Sequence, residues 1–401
     1  MAAQLFFESR PSASKMRDGG FMTPIPLSPS EHSLADVMPS VAASMGVGLR
    51  NPLSLEPAGD TVLVLVDGLG AELIRQYADH APSLAAMTTR MISAGFPATT
   101  ATSLTSLAVG APCSRHGIVG YSFRINDADG PHTSFNPLRW TLESAGGPSA
   151  LDRFPPRAVQ QQPSVLELLA AEGVDVNYVM REDFRESGLT RAAFRADGNY
   201  VPANTLAEIA QGVLAIVGAP SPRRRFVYAY FGDLDLIGHI HGPGSPEWIQ
   251  SLREVDTFIA DLATDLPRDC RLLVTADHGM VSAETVIDID STPALLTDVE
   301  TVAGEARVRH VYTRPGAAED VQTAWASALD GHARVLSREQ ALDEQLFGPG
   351  RDHAERLGDI IAIATGGVIL ARTHNEKLES SLLGHHGANT AAEQHIPLIV
   401  R

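Results

Sequence analysis

The stretch Thr61–Gly68, TVLVLVDG, decides the fold expected of this chain of 401 residues. It is an unbroken run of β-branched residues and leucine that ends at an aspartate and a glycine, which is the pattern of a strand buried on both faces. Three later runs resemble it: Val176–Met180 (VNYVM), Phe226–Phe231 (FVYAYF) and Leu272–Thr275 (LLVT). Strands buried on both faces are typical of the interior of a parallel sheet.

Helix-like segments lie between these runs. Apolar residues recur every three or four positions in Pro246–Leu262, and Ser164–Glu172 and Thr205–Val217 are further helix-like segments. A sheet whose strands alternate with amphipathic helices is covered by helices on both faces. The sequence therefore predicts an α/β fold with a mainly parallel central sheet flanked by helices.

Three segments depart from this alternation. Residues 1–32 are rich in Ser, Pro, Gly and Met without periodicity, which predicts an extended N-terminal arm. Arg124–Arg157 is rich in Pro, Gly and Asn, and we interpret it as a long insertion near the mouth of a ligand site. Residues 293–367 contain strand-like and helix-like stretches that predict a small α+β cap subdomain. The catalytic core would then comprise residues 33–292 and 368–401.

The bulk composition restricts the partners of the chain. Hydrophobic residues make up 44% and charged residues 20%, as in a globular protein, and the net charge is −17. A surface this acidic repels nucleic-acid phosphates, so duplex DNA or RNA is not an expected partner, whereas small phosphoesters held by metal ions are compatible with it. Cys113 and Cys270 share no C-x-x-C spacing, and the chain has neither a run of about 18 apolar residues nor a signal-peptide pattern. We therefore expect a cytoplasmic protein without a membrane partner.

Polar residues follow three of the predicted strands. Asp67 directly follows the first strand, Asp235 comes four residues after FVYAYF, and Asp277 with His278 comes two residues after LLVT. Open α/β sheets bind ligands just beyond the carboxyl ends of their strands. We therefore expect these residues, which are distant in the chain, to converge on one cleft.

The residue types at these positions suit a metal site. Asp235 and His239 are four residues apart, so on a helix they would lie on one face. Asp277 and His278 are a costly end to an apolar strand unless they bind something, and residues 384–388, GHHGA, supply further imidazoles. Each motif alone has an ordinary interpretation, chance spacing or a solvated loop, but together they predict two divalent cations. Mixed carboxylate and imidazole ligands fit Zn²⁺ best, with Mn²⁺ or iron as alternatives.

A nucleophile is expected where hydroxyl residues begin a helix. The segment Gly95–Leu107 contains Thr99 and Thr100 at the predicted helix start, where free backbone amides can bind a phosphoryl oxygen and a nearby cation can activate a hydroxyl. The alternative interpretation is that either threonine only caps the helix.

Together these motifs resemble the type I phosphodiesterase and nucleotide pyrophosphatase family, within the alkaline phosphatase superfamily. The resemblance extends from Val62 to Val400, in family order. The matching elements are Asp67 after the first strand, Pro97–Thr100 for P-x-x-T, Asp235–Pro243 for D-x-x-x-H-x-x-G-P, Ala276–Met280 for S-D-H-G-M and Gly384–Gly387 for G-x-H-G. The resemblance implies an alkaline phosphatase-like core and a hydrolase of phosphate esters.

The resemblance also implies a role for each motif residue. Its spacing to Gly110 and to the His116–Ile118 element selects Thr100 as the nucleophile. The implied ligands are Asp235, His239 and His386 for one ion, and Asp67, Asp277 and His278 for the other. Thr100 would attack phosphorus and form a phosphothreonine intermediate that is then hydrolysed.

One departure from the family bears on the substrate. Well-known diesterases of the family carry an Asn shortly after H-G-I, whereas this chain has Tyr121 near that position. Tyr121 or Asn126 could take over that contact with a phosphoryl oxygen, or the contact could be absent. A sulfatase is rejected because Cys113–Arg115 does not fit the C-x-P-x-R pattern.

The sequence therefore predicts a two-metal phosphodiesterase or nucleotide pyrophosphatase that acts on a small phosphoester. The alternatives are a phosphomonoesterase, a phosphonoacetate-type phosphonate hydrolase and, in another class, a catalytically inactive metal-binding protein. The metal, the oligomeric state and the physiological substrate stay open.

Overall fold

A computed structural model describes residues 32–88, 90–126, 133–142 and 147–401. Apart from its last residue, the predicted N-terminal arm lies outside these ranges. The described strands are β1 Thr61–Val66, β2 Arg90–Ser93, β3 Phe123–Ile125, β4 Thr133–Asn136, β5 Thr141–Leu142, β6 Asp175–Met180, β7 Asn199–Pro202, β8 Arg225–Phe231, β9 Arg271–Thr275, β10 Val281–Ser282, β11 Thr285–Asp288, β12 Val299–Glu305, β13 Val308–Thr313, β14 Ala333–Ser337, β15 Ile360–Ala364, β16 Val368–Ala371, β17 Gly384–His385 and β18 His395–Val400.

The described part of the chain also contains α-helices that cover the sheets. They are α1 Val37–Ser44, α2 Ala71–Gln76, α3 Pro82–Met87, α4 Thr100–Val109, α5 Cys113–His116, α6 Pro156–Val159, α7 Val165–Ala171, α8 Gly188–Ala193, α9 Leu206–Gly218, α10 Asp233–His241, α11 Pro246–Asp265, α12 Ala318–Ala328, α13 Arg338–Asp343 and α14 Ala391–Gln394. The 3₁₀ turns are Leu34–Asp36, Ala78–His80, Glu182–Phe184, Ile289–Ser291, Pro293–Leu295, Ala354–Arg356 and Glu379–Ser381.

The central sheet has seven strands in the order β2-β18-β9-β1-β8-β6-β7. β1 lies at its middle and pairs in parallel with β8 and β9, while β6 pairs in parallel with β8 and β7. Only β18 runs antiparallel, to β9 and β2. All six residues of β1 are buried, as its unbroken apolar run predicts. The predicted α/β class with a mainly parallel central sheet is confirmed.

The helices that flank this sheet carry start signals in the sequence. Ser245 caps α11 by accepting a hydrogen bond from the backbone N–H of Trp248, and Pro246 occupies the first helical position. Thr205 caps α9 in the same way and forms a capping box with Glu208. Helix α11 buries one apolar stripe against the neighbouring helices α3, α9 and α10 and leaves its polar side to water.

A second lobe is built on a four-stranded antiparallel sheet in the order β12-β13-β15-β14. Helix α12 packs on it, and Trp325 of that helix is fully buried and donates a hydrogen bond to the Leu295 carbonyl. The strands and the helix expected within residues 293–367 are all found here. The apolar cluster of this lobe also includes Ile289 and Leu370, which lie outside those limits. The division of the chain into arm, core and cap stays a prediction.

The segment interpreted as an insertion contains a small sheet in its described part. Strands β3, β4 and β5 pair antiparallel, and the rings of Phe123, Phe135 and Trp140 pack edge to face at 5.0 and 5.7 Å between centroids. This aromatic cluster is a packed structure that the Pro- and Gly-rich sequence did not predict.

No helix in the described ranges has the length and apolar character needed to cross a membrane. The cytoplasmic location stays a prediction.

Candidate metal centre and nucleophile

The ends of the central strands bring the predicted metal ligands together. Asp67 follows β1, and Asp277 and His278 follow β9, the parallel neighbour of β1. Helix α10 begins two residues after β8 and carries Asp235 and His239 one turn apart. His386 directly follows β17, which pairs with β10 just beyond Asp277 and His278. Six side chains that are distant in sequence therefore meet at one edge of the sheet.

Three of these side chains form what we call the inner half of the site: Asp67, Asp277 and His278. His278 Nε2 lies 3.4 Å from Oδ1 of Asp67 and 3.2 Å from Oδ2 of Asp277. The backbone N–H groups of Gly68 and His278 donate to Asp277 Oδ1 over 3.2 and 3.1 Å, and the Tyr230 hydroxyl donates to Asp67. The side chains of Asp277 and His278 are completely buried, so water does not solvate this half.

The other three side chains form the outer half: Asp235, His239 and His386. His239 Nε2 lies 3.2 Å from Asp235 Oδ2, and His386 Nε2 lies 3.9 Å from Asp235 Oδ1. The Nδ1–H groups of His239 and His386 donate to the carbonyls of Gly384 and Ala98 over 2.7 and 2.9 Å. Because a carbonyl can only accept, these contacts leave Nε2 of each ring free to act as a ligand.

The two halves touch through their imidazole rings. The rings of His278 and His386 are stacked with 3.5 Å between centroids and 13° between their planes. Asp235 is shared between the halves, because its carboxylate comes close to ligand atoms of Asp67 and His278 as well as those of His239 and His386. The two halves therefore form one cluster.

The pKa values of the carboxyl groups differ between the halves. Burial, followed by repulsion from Asp277 and Asp235, raises the pKa of Asp67 well above its usual range. Burial also raises the pKa of Asp277, although His278 opposes the shift. Burial acts in the same direction on Asp235, but the attraction of His239 outweighs it and holds the pKa of Asp235 below its usual range.

The residues present fit divalent cations. Asp67 Oδ1, Asp235 Oδ1 and Asp277 Oδ2 are buried oxygens that have no hydrogen-bond partner among the described residues. Buried acceptors are nearly always paired, so three orphaned carboxylate oxygens beside imidazole nitrogens indicate a site for positive charge. Two groups offer ligand atoms within 4.8 Å of one another: Asp235 with His239 and His386, and Asp67 with Asp235 and His278. The first is the set that the resemblance implies, whereas the second contains Asp235 in place of Asp277.

Thr100 lies beside the inner half. It is the first residue of α4, and its Oγ1 is 3.1 Å from His278 Nε2. His278 Nδ1 donates to the Gly279 carbonyl, so Nε2 accepts from the Thr100 hydroxyl. Thr99 occupies the N-cap position but makes no side-chain cap hydrogen bond, so the capping alternative does not account for its hydroxyl.

The two predicted substrate-binding residues lie elsewhere in the hydrogen-bond network. The Tyr121 hydroxyl donates to Glu379 Oε1 over 3.3 Å, and burial raises the pKa of Tyr121 to about 12. Asn126 is exposed just beyond β3. Their role in substrate binding stays a prediction.

Sequence reasoning missed two residues at this site. Tyr230 lies within the apolar run of β8, where nothing in the pattern marks its contact with Asp67. Glu305 comes from β12 of the second lobe, and its Oε2 lies 4.0 Å from His386 Nδ1. Burial raises the pKa of Glu305 to about 8. A glutamate at the end of a hairpin strand looks like an ordinary surface residue in sequence, so no signal could have found it.

Comparison with known proteins gives a family match over most of the chain. Residues 61–389 match the family model described as type I phosphodiesterase / nucleotide pyrophosphatase. Bis(5'-adenosyl)-triphosphatase ENPP4 from Bos taurus is 25% identical over 220 residues, which cover 50% of this chain and 44% of that protein. The chain spans less than half the length of the curated relatives it matches.

Two solved structures have a similar fold. Murine ectonucleotide pyrophosphatase / phosphodiesterase 5 superposes with a TM-score of 0.63 at 20% identity, covering 84% of this chain and 87% of that one. An inactive threonine-to-alanine variant of that protein, in complex with AMP, also superposes with a TM-score of 0.63. Phosphonoacetate hydrolase from Sinorhizobium meliloti 1021, in complex with phosphonoacetate, gives 0.62 at 19% identity, covering 86% and 90% of the two chains. These likenesses show the fold.

Proposed function

Because the chain belongs to the type I phosphodiesterase / nucleotide pyrophosphatase family, we propose that it hydrolyses phosphate diesters or pyrophosphates with Thr100 as the nucleophile and two divalent metal ions as cofactors. The observation that carries this proposal is the position of the Thr100 hydroxyl, 3.1 Å from His278 Nε2 and beside a cluster of three carboxylates with orphaned oxygens. A hydroxyl at the start of a helix, next to a site for positive charge, suits attack on phosphorus.

The outer half would hold one ion and the inner half the other, with Asp235 in reach of both. Zn²⁺ suits this mixed set of carboxylates and imidazoles best, and Mn²⁺ is the alternative. When bound, such ions would supply the positive charge that favours the threonine alkoxide and neutralises the phosphoryl group. The same charge would offset the repulsion between an anionic substrate and a protein with a net charge of −17.

The chain's own residues account for a two-step displacement. Thr100 Oγ1 forms a bond to phosphorus as the bond to the leaving oxygen breaks. The proton of the Thr100 hydroxyl is lost and the leaving oxygen gains one, which gives a phosphothreonine and the free leaving group. The backbone N–H groups in the first turn of α4, which begins at Thr100, would donate to a phosphoryl oxygen. Attack of water on phosphorus then breaks the bond to Oγ1, releases phosphate or a phosphomonoester, and restores the threonine.

Replacing Thr100 tests the covalent scheme. We expect Thr100→Ala to lower kcat by on the order of 10³-fold or more, because the nucleophile is lost. Zinc per chain should stay at the parent value, since no predicted ligand is removed. Thr100→Ser keeps a hydroxyl at the same position and should retain measurable turnover. Thr100→Ala with most of the parent rate would show that the covalent scheme is wrong.

The substrate class can be decided with three compounds: p-nitrophenyl phosphate, its bis ester and phosphonoacetate. A diesterase would prefer the bis ester. A phosphonate hydrolase is the second candidate, since the chain has Tyr121 where well-known diesterases have Asn and its fold resembles phosphonoacetate hydrolase at a TM-score of 0.62. Bound metal without turnover of any of the three, or of a dinucleotide, would instead favour an inactive metal-binding protein.

A further inference from the structure

The hairpin of β12 and β13 in the second lobe ends in a buried turn. Glu305 pairs with Val308, so Ala306 and Arg307 are the two turn residues. Ala306 is 8% exposed and Arg307 is completely buried. Turns normally lie at the surface, where water satisfies their polar groups. This turn is instead packed against the segments that carry the predicted metal ligands.

Arg307 connects the turn to two of these segments through Glu393. Its Nε and Nη2 donate to the two carboxylate oxygens of Glu393 over 2.9 Å each, and both side chains are completely buried. The same carboxylate accepts from the backbone N–H of Ala388, and the Glu393 carbonyl accepts from that of Gly279, each over 2.9 Å. Ala388 lies two residues after His386, and Gly279 directly follows His278. The second lobe is therefore fixed to the segments behind two ligands.

Glu305 reaches further into the site. Its carboxylate lies beside the Thr99 hydroxyl and 4.0 Å from His386 Nδ1. It packs so closely on Gly387 that a Cβ there would come within 2.7 Å of Glu305 Cδ. One carboxylate thus contacts the residue before Thr100 and the residue after His386.

We propose that Glu305 is a positioning residue of the reaction centre. In this proposal its carboxylate, placed by the buried turn, accepts a hydrogen bond from the Thr99 hydroxyl. That bond holds Thr99 against the His386–Gly387 segment and so fixes the Thr100 hydroxyl relative to the ligand side chains. The kinetic consequence rests on the proposed function. Small misplacements of reacting groups reduce rates strongly, and loss of residues that orient metal ligands typically costs about 10- to 100-fold in activity or metal affinity.

The kinetic test uses the full chain loaded with Zn²⁺ and the best substrate among the three compounds. We expect Glu305→Ala to lower kcat by about 10- to 100-fold. KM should change little, because no group that touches substrate is removed. Glu305→Gln keeps an oxygen that accepts from Thr99 and should recover most of the rate. Thr99→Val removes the donor and should reproduce the loss, and the double variant should be no slower than the slower single variant.

Glu300 supplies a matched control on the same strand. Its side chain is 40% exposed and pairs with Arg124 at the surface, so Glu300→Ala should leave kcat within about twofold of the parent. A loss in Glu305→Ala that Glu300→Ala matches, or a kcat within about twofold of the parent in both Glu305→Ala and Thr99→Val, would overturn the proposal.

A second measurement does not depend on activity. Hydrogen exchange of the amides in residues 98–103, in chelator-treated protein, should be faster in Glu305→Ala and Thr99→Val than in the parent, and unchanged in Glu300→Ala. Unchanged exchange in both Glu305→Ala and Thr99→Val would also overturn the proposal. If the parent turned over no phosphoester, the proposed function would fail while the exchange result still decided the role of Glu305.

Discussion

The two halves of the candidate metal centre differ in how they balance buried charge. In the outer half, Asp235 and His239 form an ion pair: Asp235 outweighs the effect of burial and raises the pKa of His239 to about 9. In the inner half, burial raises the pKa values of Asp67 and Asp277, and the charge of Asp277 raises the pKa of Asp67 further. The carboxylate of the outer half is therefore paired with a histidine whose pKa is raised, whereas burial opposes the ionisation of both carboxyl groups of the inner half. The charge of the inner half therefore depends more on a bound ion than the charge of the outer half does.

The two halves also differ in their exposure to water. His239 is 21% exposed at its side chain, whereas the side chains of Asp277 and His278 are completely buried. If a ligand is removed from the outer half, water can replace it at a bound ion. In the inner half the same loss leaves an incomplete ligand set in a dry environment, and Thr100 lies next to it.

The largest predicted effect follows from this difference. Asp277→Asn should lower kcat/KM by at least about 10³-fold, because electrostatic stabilisation next to the nucleophile is lost. His239→Asn should lower it by only about 10- to 100-fold, and excess Zn²⁺ should restore much of that loss. The measurement is kcat/KM as a function of Zn²⁺ concentration for both variants.

Asp233 provides a control on the same helix as His239. It pairs with Arg181 at 3.6 Å on the surface, so Asp233→Asn should stay within about twofold of the parent. Equal losses in Asp277→Asn and His239→Asn, with no recovery by Zn²⁺ in either, would contradict the distinction between the halves.

The sequence predicts the site residues and the central strands only where an apolar run marks them. Asp67 and Asp277 stand out because each comes just after an apolar strand, and the run TVLVLV identifies the middle of the sheet. The two strands on the antiparallel side of the sheet, β18 and the edge strand β2, were not predicted. β18 contains Pro397, which ordinarily argues against a strand, and β2 has only four residues with mixed burial. The buried runs thus predict the parallel interior of the sheet but not its antiparallel edge.

The sequence does not reveal the tertiary contacts that hold the predicted ligands in place. The Arg307–Glu393 pair joins residues 86 positions apart, and either residue alone would be expected on the surface. The contact of Tyr230 with Asp67 depends on the pairing of β8 with β1. Motif spacing predicts which residues serve as ligands, whereas the side chains that hold them in place depend on tertiary packing.

The second prediction concerns stability in the presence of a chelator. Asp67→Asn should raise the free energy of unfolding by about 1 kcal/mol, because an amide can still accept from Tyr230 and carries no charge for Asp277 to repel. Asp235→Asn breaks the ion pair with His239 and should lower it by about 2 kcal/mol, between the values for surface and buried pairs. Urea unfolding followed by circular dichroism measures both changes.

The opposite signs of the two stability changes distinguish the inner half from the outer half. With excess Zn²⁺ both variants should be less stable than the parent, since each has lost a ligand and a metal stabilises only the folded state that binds it. Destabilisation of similar size by both substitutions in chelator would show that the inner carboxylates are not repelling one another.

The smallest predicted effect is the pH dependence that His239 contributes. Its pKa is raised from 6.5 to about 9 in the folded chain, so its contribution to stability is fully present below pH 6.5 and is lost as the pH rises through 9. Because water screens a side chain that is 21% exposed, we expect His239 to contribute about 1 kcal/mol of stability that is lost across this pH window.

The measurement is the free energy of unfolding of the chelator-treated parent and of His239→Gln at several pH values. The raised pKa of Asp67 acts in the same direction, but it is common to both proteins and largely cancels in the difference. Parallel curves for the two proteins would mean that the outer half does not balance its charge through His239, and the contrast between the halves would then rest on exposure alone.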